Sequence, residues 1–189
     1  MFNERVRRVI EEVNRLRDQV DDHYQIPADE ALVLAQLVRI GRCVSICEVG
    51  TSYGFSTLHF AAVAREQGGR VHSIDNEPHK VEAARQHLEA AGLLDAVTFH
   101  LGDARDILPA LTPAKPFDFV FLDAIKEQCR EYLDALGTKL APTCTIATDN
   151  TRTHPEELAP FVSYLRSISW LASCEVAVGN GFELTVLRA

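Results

Sequence analysis

Hydrophobic positions follow a helical period in the first 41 residues of the chain. Apolar residues recur at alternating spacings of four and three, which predicts an amphipathic helix with a narrow apolar stripe. The stripe consists of Phe2, Val6, Val9, Val13, Leu16 and Val20. A second helix is predicted over 28–40, with Pro27 at its start and Gly41 at its end. The stripe packs either on the chain's own domain or on a second copy, so a homodimer is one hypothesis.

From residue 43 onward, short apolar runs alternate with segments of helical period. The apolar runs are bounded by turn residues and therefore predict strands. These strands are predicted at 43–49, 70–75, 96–101, 117–123, 143–149, 171–178 and 182–188. Helices are predicted between them at 55–67, 78–91, 104–111, 126–137 and 155–167. This alternation predicts a parallel sheet with right-handed crossovers and helices on both faces.

The last two predicted strands are joined by a tight turn. Gly179, Asn180 and Gly181 are typical turn residues, so the last strand is expected to run antiparallel to its neighbour. We therefore expect an α/β fold with a doubly wound, seven-stranded sheet that is mostly parallel and has an antiparallel C-terminal strand. The expected organisation is a single domain over 1–189, with a helical extension at 1–41 and a sheet core at 42–189.

The charge balance limits the partners that the protein is expected to bind. Lys plus Arg number 19 and Asp plus Glu number 27, which gives a net charge of −8. An acidic protein is unsuited to non-specific binding of nucleic acid or anionic membranes. The start of the chain is charged throughout, unlike a signal peptide, and no apolar stretch approaches the ~20 residues of a membrane span. The five cysteines lack metal-site or CxxC spacing, so we expect a cytoplasmic protein with reduced thiols.

Two neighbouring predicted strands end in residues that are suited to binding a metal ion. Asp123 ends one strand and is followed three residues later by Lys126, while Asp149 and Asn150 end the next strand. Because the carboxyl ends of parallel strands lie side by side, we expect these four side chains to meet. Carboxylate and amide oxygens are the hard donors that Mg²⁺ prefers. Taken singly, each residue is better explained as a turn former or helix N-cap, but the four together favour a functional site.

The ends of earlier strands carry groups that are suited to a nucleotide-like cofactor. Gly50 and Gly54 allow the backbone to approach a ligand closely, and the helix start that includes Ser56 can bind a carboxylate or phosphate. Asp75 can accept hydrogen bonds from ribose hydroxyls, and Asp103 can accept one from an exocyclic amine such as that of adenine. Helix capping explains either aspartate equally well. The turn also lacks the GxGxxG spacing of dinucleotide-binding proteins.

With these motifs, the chain resembles the class I S-adenosylmethionine-dependent O-methyltransferases of the metal-dependent catechol and caffeoyl-CoA type. The resemblance extends from residue 28 to the C-terminus and is carried by EVGTSYGFS at 48–56, DAIK at 123–126 and TDN at 148–150. It implies a Rossmann-like fold with S-adenosyl-L-methionine as the cofactor. The cofactor-binding residues that it implies are Glu48, Gly50, Ser52, Tyr53, Gly54, Ser56, Asp75, Asn76, Asp103, Ala104 and Asp123.

The resemblance also implies metal ligands, catalytic residues and a substrate class. Asp123, Asp149 and Asn150 match the family's ligands for Mg²⁺ or for another divalent cation such as Mn²⁺ or Ca²⁺. Lys126 matches the lysine that acts as the general base, whose pKa nearby cations are expected to lower. Glu183 matches a glutamate near the acceptor hydroxyls, so the implied catalytic residues are Lys126, Asp123 and Glu183. The implied substrate is a small aromatic molecule with two adjacent hydroxyl groups.

The identity of the acceptor is left open by the sequence. The short segment after Asn150 favours the catechol type, whereas the DAIK and ADE motifs are closer to the caffeoyl-CoA type. Tyr24, Tyr53 and Trp170 are the candidates for aromatic residues beside the acceptor. Three alternatives remain: a metal-independent methyltransferase acting on a single hydroxyl, a sugar or an amine; a nucleotide-dependent oxidoreductase; and a non-catalytic ligand-binding module.

Overall fold

The computed structural model describes residues 2–187 and contains a seven-stranded sheet. Its strands are β1 (Ser45–Val49), β2 (Arg70–Asp75), β3 (Val97–Leu101), β4 (Phe117–Leu122), β5 (Leu140–Asp149), β6 (Leu171–Val176) and β7 (Phe182–Leu187). They lie in the order β3-β2-β1-β4-β5-β7-β6. The first five strands pair in parallel, whereas β7 is antiparallel to both β5 and β6. This topology confirms the doubly wound sheet and the antiparallel C-terminal strand expected from the sequence.

Helices cover both faces of the sheet. They are α1 (Glu4–Leu16), α2 (Ala28–Ile40), α3 (Phe55–Glu66), α4 (Pro78–Ala91), α5 (Ala104–Ala110), α6 (Cys129–Leu136) and α7 (Pro155–Ser167). The first four helices share one apolar core with the sheet, and α5, α6 and α7 share a second core on the opposite face. Within residues 2–187, none of the helices combines the length and apolar character needed to cross a membrane.

The apolar stripe of α1 is buried within this chain. Val6, Val9 and Val13 are at most 3% exposed and belong to the core that includes α3 and α4. The helix ends at Leu16, earlier than the stripe predicts, because the chain then folds back and the Arg17 side chain donates to the carbonyl of Gln25 at 2.8 Å. The stripe is therefore already covered, and the homodimer stays a prediction that this stripe no longer supports.

The five parallel strands run in the same direction, so the loops that follow them lie together at the carboxyl ends of the strands. β1 is central and all five of its residues are buried, as expected for a strand that is covered on both faces. β5 begins at Leu140, three residues before the predicted start at 143, because its first residue pairs with Phe117 across an irregularity in the β4–β5 register. The predicted helix over 126–137 divides into a 3₁₀ turn at Lys126–Gln128 and α6. These loops and the 3₁₀ turn form the candidate site.

Candidate active site

A cavity of about 690 Å³ opens at the carboxyl ends of strands β1 to β5. Its walls come from the loops after these strands, from the segment between α1 and α2, and from the turn between β6 and β7. This volume is typical of cavities that enclose small organic ligands. The predicted site residues that line the cavity are Gly50, Ser52, Ser56, Asp75, Asn76, Asp103, Ala104, Asp123, Lys126, Asp149 and Asn150.

Glu48 lies outside the lining of the cavity and supports its wall. Its fully buried carboxylate accepts hydrogen bonds from the hydroxyls of Ser56 (2.5 Å), Thr57 (2.6 Å) and Ser73 (2.6 Å). Burial raises the pKa of Glu48 to about 7, although the three hydroxyls act in the opposite direction. The carboxylate therefore holds the start of α3 against β1 and β2, behind the surface that a ligand would touch.

The two glycines of the first turn are required by packing within the protein. Gly50 lines the cavity with φ +104°, and a Cβ atom there would overlap the backbone carbonyl of Asp123. Gly54 has φ +84° and lies outside the lining, where a Cβ atom would meet Ala84 of α4 at 2.9 Å. Tyr53 also lies outside the lining. Sequence reasoning assigned both glycines to a ligand, but the atoms that restrict them belong to the loop after β4 and to α4.

Asp75 connects the first and second loops of the cavity. Its Oδ2 accepts the backbone amides of Thr51 (3.0 Å) and Ser52 (2.8 Å), and its Oδ1 accepts the amide of Glu77 (3.0 Å). A carboxylate oxygen has more than one acceptor site, so Asp75 can still accept a hydroxyl from the cavity. Asn76 follows it as an exposed part of the wall. The position suits the ribose contact that the sequence predicts.

Asp103 caps a helix and also lines the cavity. It is the N-cap of α5, accepting the backbone amide of Arg105 at 2.8 Å and the guanidinium of the same residue at 2.6 Å. The guanidinium and the amide lower the pKa of Asp103 to about 2. Ala104 lies beside it in the wall. The capping role considered from the sequence is therefore present together with the exposure to the cavity that a binding role requires.

Asp123 and Lys126 form an ion pair in the cavity wall. The 3₁₀ turn after β4 directs the lysine back to the strand end, and Lys126 Nζ donates to Asp123 Oδ1 at 2.8 Å. Burial raises the pKa of Asp123 to about 7 against the effect of Lys126, and Asp149 adds to the increase. Burial acts to lower the pKa of Lys126, but the carboxylate of Asp123 shifts it upward overall. This direction is opposite to the lowering expected for a general base, because the nearest charged group is an acid.

Asp149 and Asn150 present oxygen atoms next to this ion pair. Asp149 is 1% exposed; its Oδ2 accepts from the side-chain amide of Asn180 at 3.3 Å, and its Oδ1 accepts no hydrogen bond from any of residues 2–187. Asn150 adopts φ +75°, and its Nδ2 donates to the hydroxyl of Thr153 at 2.8 Å. Because the amide nitrogen is engaged, the carbonyl oxygen of Asn150 is the atom left for a ligand.

Another buried carboxylate, that of Glu30 in α2, interacts with Asp149. Burial raises the pKa of Asp149 to about 8, and the carboxylate of Glu30 contributes to the increase. Burial also raises the pKa of Glu30 above its ordinary value. Glu30, Asp123 and Asp149 thus place three acidic groups beside one ammonium group, with an unpartnered oxygen on Asp149. Hard oxygen donors with excess negative charge fit a divalent cation such as Mg²⁺.

Glu183 lies away from the cavity, so the structure does not bring it to the other predicted catalytic residues. Its carboxylate is fully buried and accepts Nε (2.8 Å) and Nη2 (2.7 Å) of Arg166 and the hydroxyl of Ser173 (2.5 Å). Successive residues of a strand face opposite sides of a sheet. Phe182 packs in the core that includes α2 and α3, so its neighbour Glu183 faces α7 instead.

Aromatic and basic residues complete the rim of the cavity. Of the three aromatic candidates, Tyr24 lines the cavity, whereas Tyr53 and Trp170 do not. Lys80, which sequence reasoning missed, also lines it and is only 3% exposed, with Nζ 2.6 Å from a carboxylate oxygen of Glu77. A lysine in the first turn of a helix is ordinarily solvated, so the sequence offers no signal that Lys80 is buried and paired with the partly exposed Glu77.

A family model for methyltransferase domains matches residues 47–151, which include the first glycine-containing turn and both predicted metal-binding strand ends. The chain belongs to this class I methyltransferase family. The chain is 38% identical to a catechol O-methyltransferase of Mycobacterium tuberculosis over 108 residues, covering 57% of the chain and 48% of that relative. It is 29% identical to a caffeoyl-CoA O-methyltransferase of Populus kitakamiensis over 150 residues, covering 75% of the chain and 63% of that relative.

Solved structures extend the similarity to the whole fold of the chain. An O-methyltransferase from Bacillus cereus in complex with SAH superimposes with a TM-score of 0.84 at 25% identity, covering 96% of this chain and 91% of that one. The two curated relatives are longer, and the chain spans about half to two thirds of their length. The family and the fold of the chain are therefore shown.

Proposed function

We propose that the protein is an S-adenosylmethionine-dependent, divalent-metal-dependent O-methyltransferase that acts on a small aromatic molecule with two adjacent hydroxyl groups. The observation that carries the proposal is the meeting of Asp123, Lys126, Asp149 and Asn150 at one end of a cavity whose other end carries Asp75 and Asp103. Relatives named as catechol and caffeoyl-CoA O-methyltransferases support the same reaction class.

The cofactor half of the cavity suits S-adenosylmethionine. Asp75 accepts from the ribose hydroxyls, while Asp103 and Ala104 contact the adenine. The first-turn amides of α3, including that of Ser56, bind the carboxylate of the methionine part, since such amides have no partner within the helix. The Ser56 hydroxyl is already bonded to Glu48, so we assign this contact to the backbone. A solved relative in complex with SAH supports this choice of cofactor.

The acceptor half suits a divalent cation and two acceptor oxygens. Asp123, Asp149 and Asn150 would hold Mg²⁺, or Mn²⁺ or Ca²⁺, through hard oxygen ligands. When bound, the cation polarises and orients an acceptor hydroxyl, and the cofactor supplies an electrophilic methyl group. Two adjacent hydroxyls match this arrangement because they can bind as a pair and present one oxygen to the methyl group.

Lys126 would remove the proton from the reacting hydroxyl. Its Nζ lies in the cavity wall next to the metal-binding residues, within reach of an oxygen held by them. The ion pair with Asp123 keeps the lysine protonated, so its action as a base requires that the carboxylate be engaged by another cation. The sulfonium of the cofactor adds a second positive charge that favours the neutral amine.

A matched pair of acceptors tests the substrate class. Catechol and phenol differ by one hydroxyl, and only catechol offers two oxygens that can bind one cation. With S-adenosylmethionine and Mg²⁺, we expect methylation of catechol with kcat/KM at least about 100-fold above that of phenol, because paired hydroxyls fix the orientation of the nucleophile. Equal kcat/KM for both acceptors, or no methylation of either while the cofactor binds, would contradict the proposed acceptor.

A further inference from the structure

Glu30 occupies an unusual position for an acidic residue at the start of a helix. Acids in the first turn commonly face solvent, where they interact favourably with the helix dipole. Glu30 is instead 0% exposed, and its Oε1 accepts no hydrogen bond within the part of the chain that the structure describes. Among residues 2–187, no lysine, arginine or histidine lies within ion-pair distance of its carboxylate. A buried carboxylate without a cation is strongly unfavourable unless something else compensates its charge.

The turn between β6 and β7 connects Glu30 to Asp149. The backbone amide of Asn180 donates to Glu30 Oε2 at 2.7 Å, and the side-chain amide of the same residue donates to Asp149 Oδ2 at 3.3 Å. At Gly179 a Cβ atom would overlap the Glu30 carboxylate, so this turn is seated directly on α2. Asn180 and Asp149 line the cavity, whereas Glu30 lies outside the lining. Glu30 is thus placed behind a predicted metal ligand.

We propose that Glu30 is a positioning residue for the divalent cation. Its buried carboxylate adds a further negative charge behind Asp149 and, through Asn180, fixes the direction in which Asp149 faces the cavity. The inference rests on the proposed function, because it takes Asp123, Asp149 and Asn150 as the residues that hold the cation. It assigns to Glu30 a contribution to cation affinity without direct contact with the cation.

Cation binding by Glu30→Gln tests this role without relying on turnover. The substitution keeps the shape and the acceptor for the Asn180 amide but removes the charge. In titrations followed by the electron paramagnetic resonance of free Mn²⁺, we expect Glu30→Gln to weaken Mn²⁺ binding by about 10- to 100-fold, as for other outer-shell partners of metal ligands. The matched control is Asp29→Asn, since Asp29 is the adjacent, exposed acid. Screening by solvent should keep its affinity within about twofold of the wild type.

Thermal unfolding of the same variant separates the proposed role from a purely structural one. In EDTA, Glu30→Gln should be at least as stable as the wild type, because the new amide can donate to the unpartnered Oδ1 of Asp149. The rise in Tm produced by Mn²⁺ should be smaller in the variant, because a weaker ligand stabilises less. Loss of the fold, or a lower Tm in EDTA, would show that Glu30 serves as a structural clamp and would overturn the inference.

The outcomes distinguish this inference from the proposed function. If the wild type binds Mn²⁺ and Glu30→Gln binds it equally well, the role of Glu30 is wrong and the metal site stands. If the wild type does not bind Mn²⁺, the metal dependence of the proposed function is wrong, and the role of Glu30 is lost with it.

Discussion

Lys126 and Asp123 form the ion pair around which the acceptor half of the cavity is arranged. The lysine is about one-eighth exposed and its ammonium lies 2.8 Å from the carboxylate. Two roles fit this geometry: an ammonium that neutralises a buried acid, or a base that becomes available when Asp123 binds a metal ion. Only the second role affects the chemical step, so a kinetic comparison separates them.

Substitution of Lys126 by alanine should lower kcat while leaving the affinity for S-adenosylmethionine nearly unchanged. Removal of a general base commonly lowers the rate by about 10²–10⁴-fold. Steady-state kinetics together with calorimetric titration of the cofactor measures both quantities. The exposed Lys115, which lies outside the cavity lining, provides the control variant Lys115→Ala. An unchanged kcat in Lys126→Ala would limit this lysine to charge neutralisation.

The residues of the site differ in how far the sequence reveals them. Asp123 and Lys126 were predicted because a strand end and a three-residue spacing are local features. Glu30 was missed because its partner Asp149 is remote in sequence, and an acid at a helix start is ordinarily exposed. Glu183 was assigned to the cavity by resemblance, although the alternation of β7 directs it to α7. The direction of a side chain on an antiparallel edge hairpin depends on register, which the local pattern does not determine.

At the scale of secondary-structure elements, α7 is held to the β6–β7 hairpin by a buried acid. Glu183 is fully buried, while the guanidinium of Arg166 that binds it is half exposed. Ser173 of β6 donates to the same carboxylate, so one acid joins three elements. Removal of Arg166 would leave the buried charge of Glu183 uncompensated. The resulting loss of stability is larger than the stability that the ion pair itself contributes.

Replacement of Arg166 by methionine should therefore lower the free energy of unfolding. We expect a loss of about 2 kcal/mol, at the lower end for buried pairs because the arginine is half exposed. Urea denaturation measures the loss, and Arg130→Met serves as the control because the Arg130–Asp134 pair is largely exposed. The control should lose less than about 1 kcal/mol. A Glu183→Gln variant that folds stably but loses most of its kcat would instead show that Glu183 has a role in the reaction.

Most elements followed directly from the hydrophobic pattern. Helix α2 and strand β2 have the predicted bounds. In both, the apolar pattern begins or ends next to a proline or glycine, so the two signals mark the same boundary. The end of α1 was wrong because the stripe continues to Val20, while the backbone leaves the helix to form the segment that borders the cavity. After Leu16 the chain folds back, and the Arg17 side chain donates to the carbonyl of Gln25, a contact that the hydrophobic pattern does not indicate.

At the scale of the whole molecule, buried acids give the metal-free protein a distinctive dependence on pH. Burial raises the pKa of Asp123 to about 7 and that of Asp149 to about 8, well above the ordinary value of 3.8. Over the range between the ordinary and the raised values, the folded protein binds more protons than the unfolded chain, so stability falls as pH rises. Buried histidines such as His59, with a pKa lowered to about 4, act in the opposite sense only below their ordinary value of 6.5.

In EDTA, the free energy of unfolding should therefore decrease as the pH rises from about 7.5 to 8.5, a range in which the histidines are almost fully deprotonated in both the folded and the unfolded state. Saturating Mn²⁺ should reduce this decrease, because the cation takes the place of protons on the acids. Urea denaturation at several pH values, with and without Mn²⁺, measures both effects. A metal-free protein that becomes more stable over this pH range would show that Asp123 and Asp149 are ionised in the fold without a cation.

The most direct test of the account is methyl transfer to catechol in Mg²⁺, then in excess EDTA, and again after Mg²⁺ is restored, with Asp149→Ala in parallel. We expect activity that EDTA removes and Mg²⁺ restores, and a variant that lacks metal-dependent turnover but binds S-adenosylmethionine as the wild type does. Equal turnover with and without EDTA, or full activity in Asp149→Ala, would contradict a metal-dependent methyl transfer at this site.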